Sequence, residues 1–146
     1  MGPKKIVLDT SIFVAGIIGH GASKTILNAI IDCSIAPILC QKILEEYIRV
    51  IHYPKIMKKI SPSDVYPIID IIHKKAEYIT YEGKIRVCRD PKDDKFVELS
   101  AKTSAPLITL DNDILDLRDE EKLLKVDAKQ IKILRPEEFL QNHGDD

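Results

Sequence analysis

Apolar residues fall along this chain in two alternating rhythms. Short apolar-rich runs, Ile6-Val7-Leu8, Leu107-Ile-Thr-Leu110 and Ile131-Lys-Ile-Leu134, stand between polar residues, as strands covered on both faces require. Helical stripes recur between them. Ile26, Leu27, Ile30 and Ile31 line one face of a helix expected over 23–32, with Ser23 as its N-cap. Ile43, Leu44, Tyr47, Ile48 and Ile51 do the same over 41–52, and Tyr53-Pro54 ends that helix. Residues 54–60 and 61–76 read as a helical hairpin whose second arm opens on Ser61-Pro62 and faces inward through Val65, Ile68, Ile69 and Ile72. Residues 35–40 form a further strand that must accommodate Pro37. Weaker extended segments are expected at 77–80 and 85–88, a helix over 93–103, a helical turn from Asn112, and a terminal helix from Pro136 to about Gln141.

Strands alternating with helices predict an α/β fold with a mainly parallel central sheet. The 146 residues contain no repeat or linker, so 1–146 reads as a single domain with a sizeable core. The longest stretch without charge, 10–23, is broken by Gly16, Gly19 and Gly21 and is shorter than the roughly 20 apolar residues of a membrane span. No membrane association is expected. The opening Met-Gly-Pro-Lys-Lys runs straight into a strand, without the apolar core of a secretory leader, and the expected location is cytoplasmic. Cys33, Cys40 and Cys88 are odd in number and lack Cys-x-x-Cys spacing, which predicts reduced thiols rather than disulfides or a zinc site.

Charge changes this picture. The net charge of -1 conceals 9 basic and 4 acidic residues over 47–89 against 9 and 15 over 90–146. Arg49, Lys55, Lys58 and Lys59 lie in a stretch with no acid, a candidate surface for a polyanion backbone. The acids gather in four places: Asp9 after the first strand, Glu45-Glu46 on a helix, Asp90/Asp93/Asp94 at a helix start, and Asp111/Asp113 after the Leu107 strand. In a parallel sheet, ligands bind beyond the carboxyl ends of strands, where Asp9 and Asp111 both fall. Carboxylates gathered there suit hard divalent cations such as Mg²⁺ or Mn²⁺, and Thr10 and Ser11 would orient them.

Within each cluster the spacing ranks the candidates. Glu45 precedes Arg49 by one turn, an exposed-face pairing, so Glu46 is the preferred ligand. Asp94 shares its helical face with Val97 and Ala101 and is expected to point inward, leaving Asp93 as a cap or auxiliary acid. Asp111 has the better strand-end position, with Asp113 second.

Four segments carry a family resemblance: Val-Leu-Asp9-Thr-Ser-Ile-Phe-Val, Ile-Leu-Glu-Glu46-Tyr-Ile-Arg-Val-Ile, Cys-Arg-Asp-Pro-Lys-Asp-Asp94-Lys-Phe-Val-Glu-Leu-Ser-Ala, and Leu-Ile-Thr-Leu-Asp111-Asn-Asp113-Ile-Leu. In this order, over essentially the full length, the chain resembles PIN-domain ribonucleases, in particular the VapC-like toxins of prokaryotic toxin-antitoxin systems. The resemblance implies a three-layer α/β/α sandwich. It further implies one or two Mg²⁺ or Mn²⁺ ions on Asp9, Glu46, Asp94 and Asp111, with Asp113 auxiliary, and hydrolysis of single-stranded or structured RNA by in-line attack on phosphorus. A small antitoxin and a homodimer are the implied partners. The alternatives are a PIN nuclease of RNA processing without an antitoxin, and a non-catalytic nucleic-acid-binding module. Ser11 stands where the family commonly has Asn, so its hydroxyl must do the positioning there.

Overall fold

The computed structural model describes residues 2–144, among which six strands and eight α-helices alternate. Strand β1 (Lys4–Leu8) lies inside the sheet, whose order is β3-β2-β1-β4-β6-β5. β2 (Ile35–Leu39), β4 (Leu107–Ile108), β6 (Lys129–Leu134) and the two-residue β3 (Glu77–Tyr78) join it through parallel pairings. Only β5 (Leu123–Val126) is antiparallel, in a tight hairpin with β6 that turns on Asp127 at φ 55. Pro37 is tolerated because β3 pairs only with Ile38 and Leu39, so its missing N–H removes no bond from that edge.

Helices cover both faces, giving the expected three layers. α6 (Asp94–Thr103) packs on β1, β4 and β6. The opposite layer is built from α1 (Thr10–Ile18), α2 (Gly21–Ile31), α3 (Gln41–Val50), α5 (Pro62–Lys75) and α8 (Pro136–Gly144), with α2 and α5 against β2. Short helices α4 (Pro54–Met57) and α7 (Asn112–Leu115) complete the chain. The core between layers is aliphatic, with Phe13 stacked on Tyr47 at a centroid distance of 4.4 Å and Tyr47 donating its hydroxyl to the Leu8 carbonyl at 2.6 Å. Among the described residues, no single helix is long and apolar enough to cross a membrane.

Departures from the sequence expectations have physical causes. β4 stops at Ile108, short of the expected Leu110, because the Leu110 N–H donates to the Ser11 hydroxyl rather than to a strand. The segment Thr10–Ile18 is a helix, although its residues show no polar face, because it is covered nearly all round and Asp9 itself caps it. The next helix starts at Gly21, so Ser23 lies buried inside it rather than at its N-cap, which is His20. Residues 85–88 form no ladder, since the Val87 and Cys88 N–H groups donate to the Asp94 carboxylate at 3.0 and 2.8 Å. Just upstream, the Glu82 and Lys84 N–H groups donate to Glu98. Side chains of α6 thus take the place of a strand partner. The strand β5 also escapes the apolar pattern, because it is an edge strand with one buried residue, Val126.

The sheet has its switch point at β1, from which the chain first builds β2 on one side and later β4 on the other. The crevice beyond the carboxyl ends of β1 and β4 is therefore the place where such a sheet receives ligands.

Helices α1 and α2 meet at 92°, and their crossing depends on Gly16. A Cβ there would lie 3.1 Å from the Ser23 carbonyl oxygen and 3.2 Å from the Leu27 Cβ. Gly16→Val is expected to destabilise the fold by about 1–3 kcal/mol through overpacking. Chemical denaturation checks this, and an unchanged midpoint would contradict the proposed tight crossing.

Candidate active site

Asp9 follows the last residue of β1 and is 3% exposed. Its backbone N–H donates to the Ile108 carbonyl of β4, and its side chain accepts from the Ile12 N–H at the start of α1. Two hydroxyls complete its surroundings: Ser11 donates to Oδ1 and Thr109 to Oδ2. Both hydroxyls also accept from the other strand end, Ser11 from the Leu110 N–H at 3.1 Å and Thr109 from the Asp111 N–H at 2.9 Å. These bonds stitch the ends of β1 and β4 together and set Asp111 beside Asp9.

Asp111 caps α7, accepting from the Asp113 N–H at 2.9 Å. Asp113 sits at the rim, where Arg89 donates to it at 3.1 Å. From the α6 side comes Asp93, the residue before the helix. It accepts no side-chain capping bond, and Asp111, Asp90 and Asp9 surround it electrostatically. Burial, reinforced by Asp111, Asp90 and Asp9, pushes the Asp93 carboxyl up to about 7. Asp9 is likewise pushed up to about 6, chiefly by burial, with Asp111 adding to it against the bonds from Ser11, Thr109 and Ile12.

Glu46 projects from α3 toward the same crevice, whereas Glu45 is exposed. Its Oε2 accepts from the Thr10 hydroxyl, and its Oε1 pairs with Lys95 Nζ at 2.7 Å and approaches Arg49 at 3.9 Å. Lys95 is 6% exposed and also donates to the Lys92 carbonyl.

The placement differs from the sequence ranking at one pair. Asp94, expected in the ligand set, is 2% exposed but turns its carboxylate onto the Val87 and Cys88 N–H groups. It lies one turn before Glu98, which binds the Glu82 and Lys84 N–H groups, so the two acids act together as a backbone clamp. Asp93, expected to be a cap or an auxiliary acid, makes no side-chain capping bond and lies within electrostatic reach of Asp9 and Asp111. Both residues satisfy the same local pattern of an acid at a helix start, and only the path of 79–90 decides which carboxylate is consumed by backbone. Thr109 and Lys95 were not candidates from sequence. The sole polar residue within Leu-Ile-Thr-Leu was a usable signal for Thr109, while nothing local marks Lys95 as buried.

Tyr47 is a core residue, but Tyr53 and Tyr66 are exposed. Lys58 and Lys59 border a separate groove with Ile17, at the far end of α1 from Asp9.

The donor set fits a hard divalent cation in its chemistry. Asp9, Asp93 and Asp111 supply carboxylate oxygens at one sheet edge, and Asp93 is a partly buried acceptor for which the described residues provide no hydrogen-bond donor. Among the described residues no three His, Cys, Asp or Glu side chains already close on a common point.

A pH dependence follows. Asp9 and Asp93 hold protons more tightly in the folded state than at their ordinary 3.8, so their contribution is fully present below about pH 4 and is lost as pH rises through 6 to 7. For Asp9 the loss is of order 3 kcal/mol. Opposite cases lie lower on the scale. Glu82, bonded by Lys102 and Lys84, and Glu138, where Arg118, the Arg135 N–H and Lys122 outweigh burial, are held down to about 2, and weaken the fold only below about pH 4.5. The Tm of chelator-treated protein is expected to peak near pH 5 and fall by several degrees at pH 8, with Asp93→Asn flattening the fall. A Tm that rises from pH 5 to pH 8 would overturn this electrostatic assignment.

Comparison of the sequence with known proteins identifies its family. A family model described as PIN domain matches residues 5–113. The relative "Uncharacterized protein MJ1680" of Methanocaldococcus jannaschii is 30% identical over 139 residues, spanning 94% of this chain and 90% of its own. Among solved structures, VapBC2 from Rickettsia felis bound to a DNA fragment from their promoter aligns with a TM-score of 0.49 at 15% identity, over 74% of this chain and 89% of that one. With a family match across most of its length, from β1 through the Asp111/Asp113 turn, the chain belongs to the PIN-domain family of nucleases.

Proposed function

We propose that this protein is a divalent-metal-dependent endoribonuclease that hydrolyses phosphodiester bonds of single-stranded RNA. The observation that carries the reading is that Asp9, Asp93 and Asp111 lie within electrostatic reach of one another beyond the β1–β4 switch point, with Asp93 accepting no hydrogen bond among the described residues. These three carboxylates are the proposed holders of Mg²⁺ or Mn²⁺, one or two ions, with Glu46 and Asp113 flanking them. When bound, the ion supplies Lewis-acid stabilisation of charge developing on the phosphate. Ser11 and Thr109 hold Asp9 at a fixed angle to Asp111. Thr10 and Lys95 orient Glu46 from two sides. Asp94 serves the reaction only by fixing the segment before α6.

The toxin role rests on the resemblance of the four acidic segments to VapC-like chains, and brings with it a small antitoxin as partner. A homodimer is part of the same proposal. It is supported by Ile48, Tyr53, Met57 and Tyr66, which stand exposed along α3, α4 and α5. Light scattering is expected to give twice the chain mass, and Ile48→Asp/Met57→Asp a monomer. A monomeric parent protein would remove the dimer from this reading.

The central test is cleavage of a labelled single-stranded RNA with Mg²⁺, Mn²⁺ or EDTA. Asp93→Asn is expected to lose at least about 100-fold in rate, the upper range even for groups that only support a metal site, while remaining folded, with a Tm in chelator at pH 8 no lower than the parent's. Asp94→Ala is expected to lose about 1–3 kcal/mol of stability by removing the acceptor of two part-buried N–H groups. Metal-independent cleavage, or full activity in Asp93→Asn, would reject the assignment.

A further inference from the structure

Next to the carboxylates lies a cavity of about 390 Å³ with the opposite electrostatic character. Lys42 and Arg49 of α3, Lys92 and Lys95 at the start of α6, and Tyr81 line it, with Glu46 as the shared wall toward Asp9. Glu45 is the other acid on its border, so four cations face two carboxylates. The Lys95–Glu46 pair neutralises one charge of each sign and fixes the wall. Among the described residues, Lys42 and Lys92 make no ion pair, and the Lys42 ammonium stands 5.8 Å from the Tyr81 ring centroid.

We infer that this cavity is a nucleotide subsite: it takes the phosphate adjacent to the scissile one on Lys42, Arg49 and Lys92, and the attached base against Tyr81. The inference rests on the nuclease reading and deepens it. A polyanion is repelled by a centre containing Asp9, Asp90, Asp93, Asp111 and Asp113, so a nearby basic pocket is needed to anchor the chain across it. The pocket meets that need by position, because Glu46 touches Thr10, the residue after Asp9, on one side and Lys95 on the other. Tyr81 is partly buried against the core and so presents a ring already fixed in place, the arrangement by which aromatic platforms hold bases without reading sequence. The Lys58–Lys59 groove is the rival basic surface, and no carboxylate of the centre borders it.

Fluorescence anisotropy of a short labelled single-stranded RNA, with the full chain in Ca²⁺, tests the assignment separately from turnover. Lys42→Ala/Arg49→Ala is expected to weaken binding about tenfold and to lower the salt slope by about 1–2. Tyr81→Ala is expected to weaken binding about tenfold, with Tyr81→Phe close to the parent. Lys55→Ala/Lys58→Ala/Lys59→Ala is expected to bind as the parent does. In Mg²⁺ the pocket variants should raise KM with kcat held, and the Tm of Lys42→Ala/Arg49→Ala and of Tyr81→Phe should be unchanged. Parent-like binding by the pocket variants, or a larger loss in the Lys55/Lys58/Lys59 variant, would overturn the subsite while leaving the nuclease reading intact. A parent protein that neither binds nor cleaves RNA would remove both.

Discussion

The joining of β1 to β4 through Asp9 is the constraint on which the site depends. The two strands are far apart in sequence, and their register pairs Val7 with Leu107 and Leu8 with Ile108. Beyond the last pair, backbone bonding gives way to the Ser11 and Thr109 hydroxyls, each of which donates to the Asp9 carboxylate and accepts an N–H from the β4 end. A buried carboxylate is unfavourable unless bonded, and here the bonds that satisfy it also set Asp111 beside it. The same feature gives the fold its switch point and the centre its charge.

α6 supplies acids for two distinct purposes within two residues. Asp94 and Glu98 lie one turn apart on one face and bind four backbone N–H groups of the segment before the helix, doing for that segment what a neighbouring strand would have done. Asp93 faces the crevice, where burial and the Asp111, Asp90 and Asp9 carboxylates outweigh the Lys95 ammonium. One acid lowers the energy of the fold, and its neighbour raises it in the absence of a cation. Such tension between stability and function is characteristic of sites that bind charge.

The basic pocket across Glu46 complements that arrangement. Helices α3 and α6 each contribute both signs of charge, so the acidic centre and its cationic neighbour share the Lys95–Glu46 pair as a common wall. Buried ion pairs add little net stability but hold charged groups in register. Here the register is between two surfaces that a nucleic acid chain would cross together.

The layered α/β class, the helices over 41–52 and 61–76, the central strands and Asp9 at the end of β1 were legible in the sequence, because periodicity and strand-end position are local properties; Asp111 stands three residues beyond β4, at the cap of α7. The choice of Glu46 over Glu45 as the acid facing the crevice was equally legible from helical spacing to Arg49. α1 was not, since its uniformly apolar and small residues leave no polar stripe, nor was β5, an edge strand with one buried residue. Only the tertiary structure decided between Asp93 and Asp94. Both stand at the same helix start, and which carboxylate is free depends on where residues 79–90 bring their N–H groups. That path is a long-range packing outcome, carried by no residue within either acid's own segment.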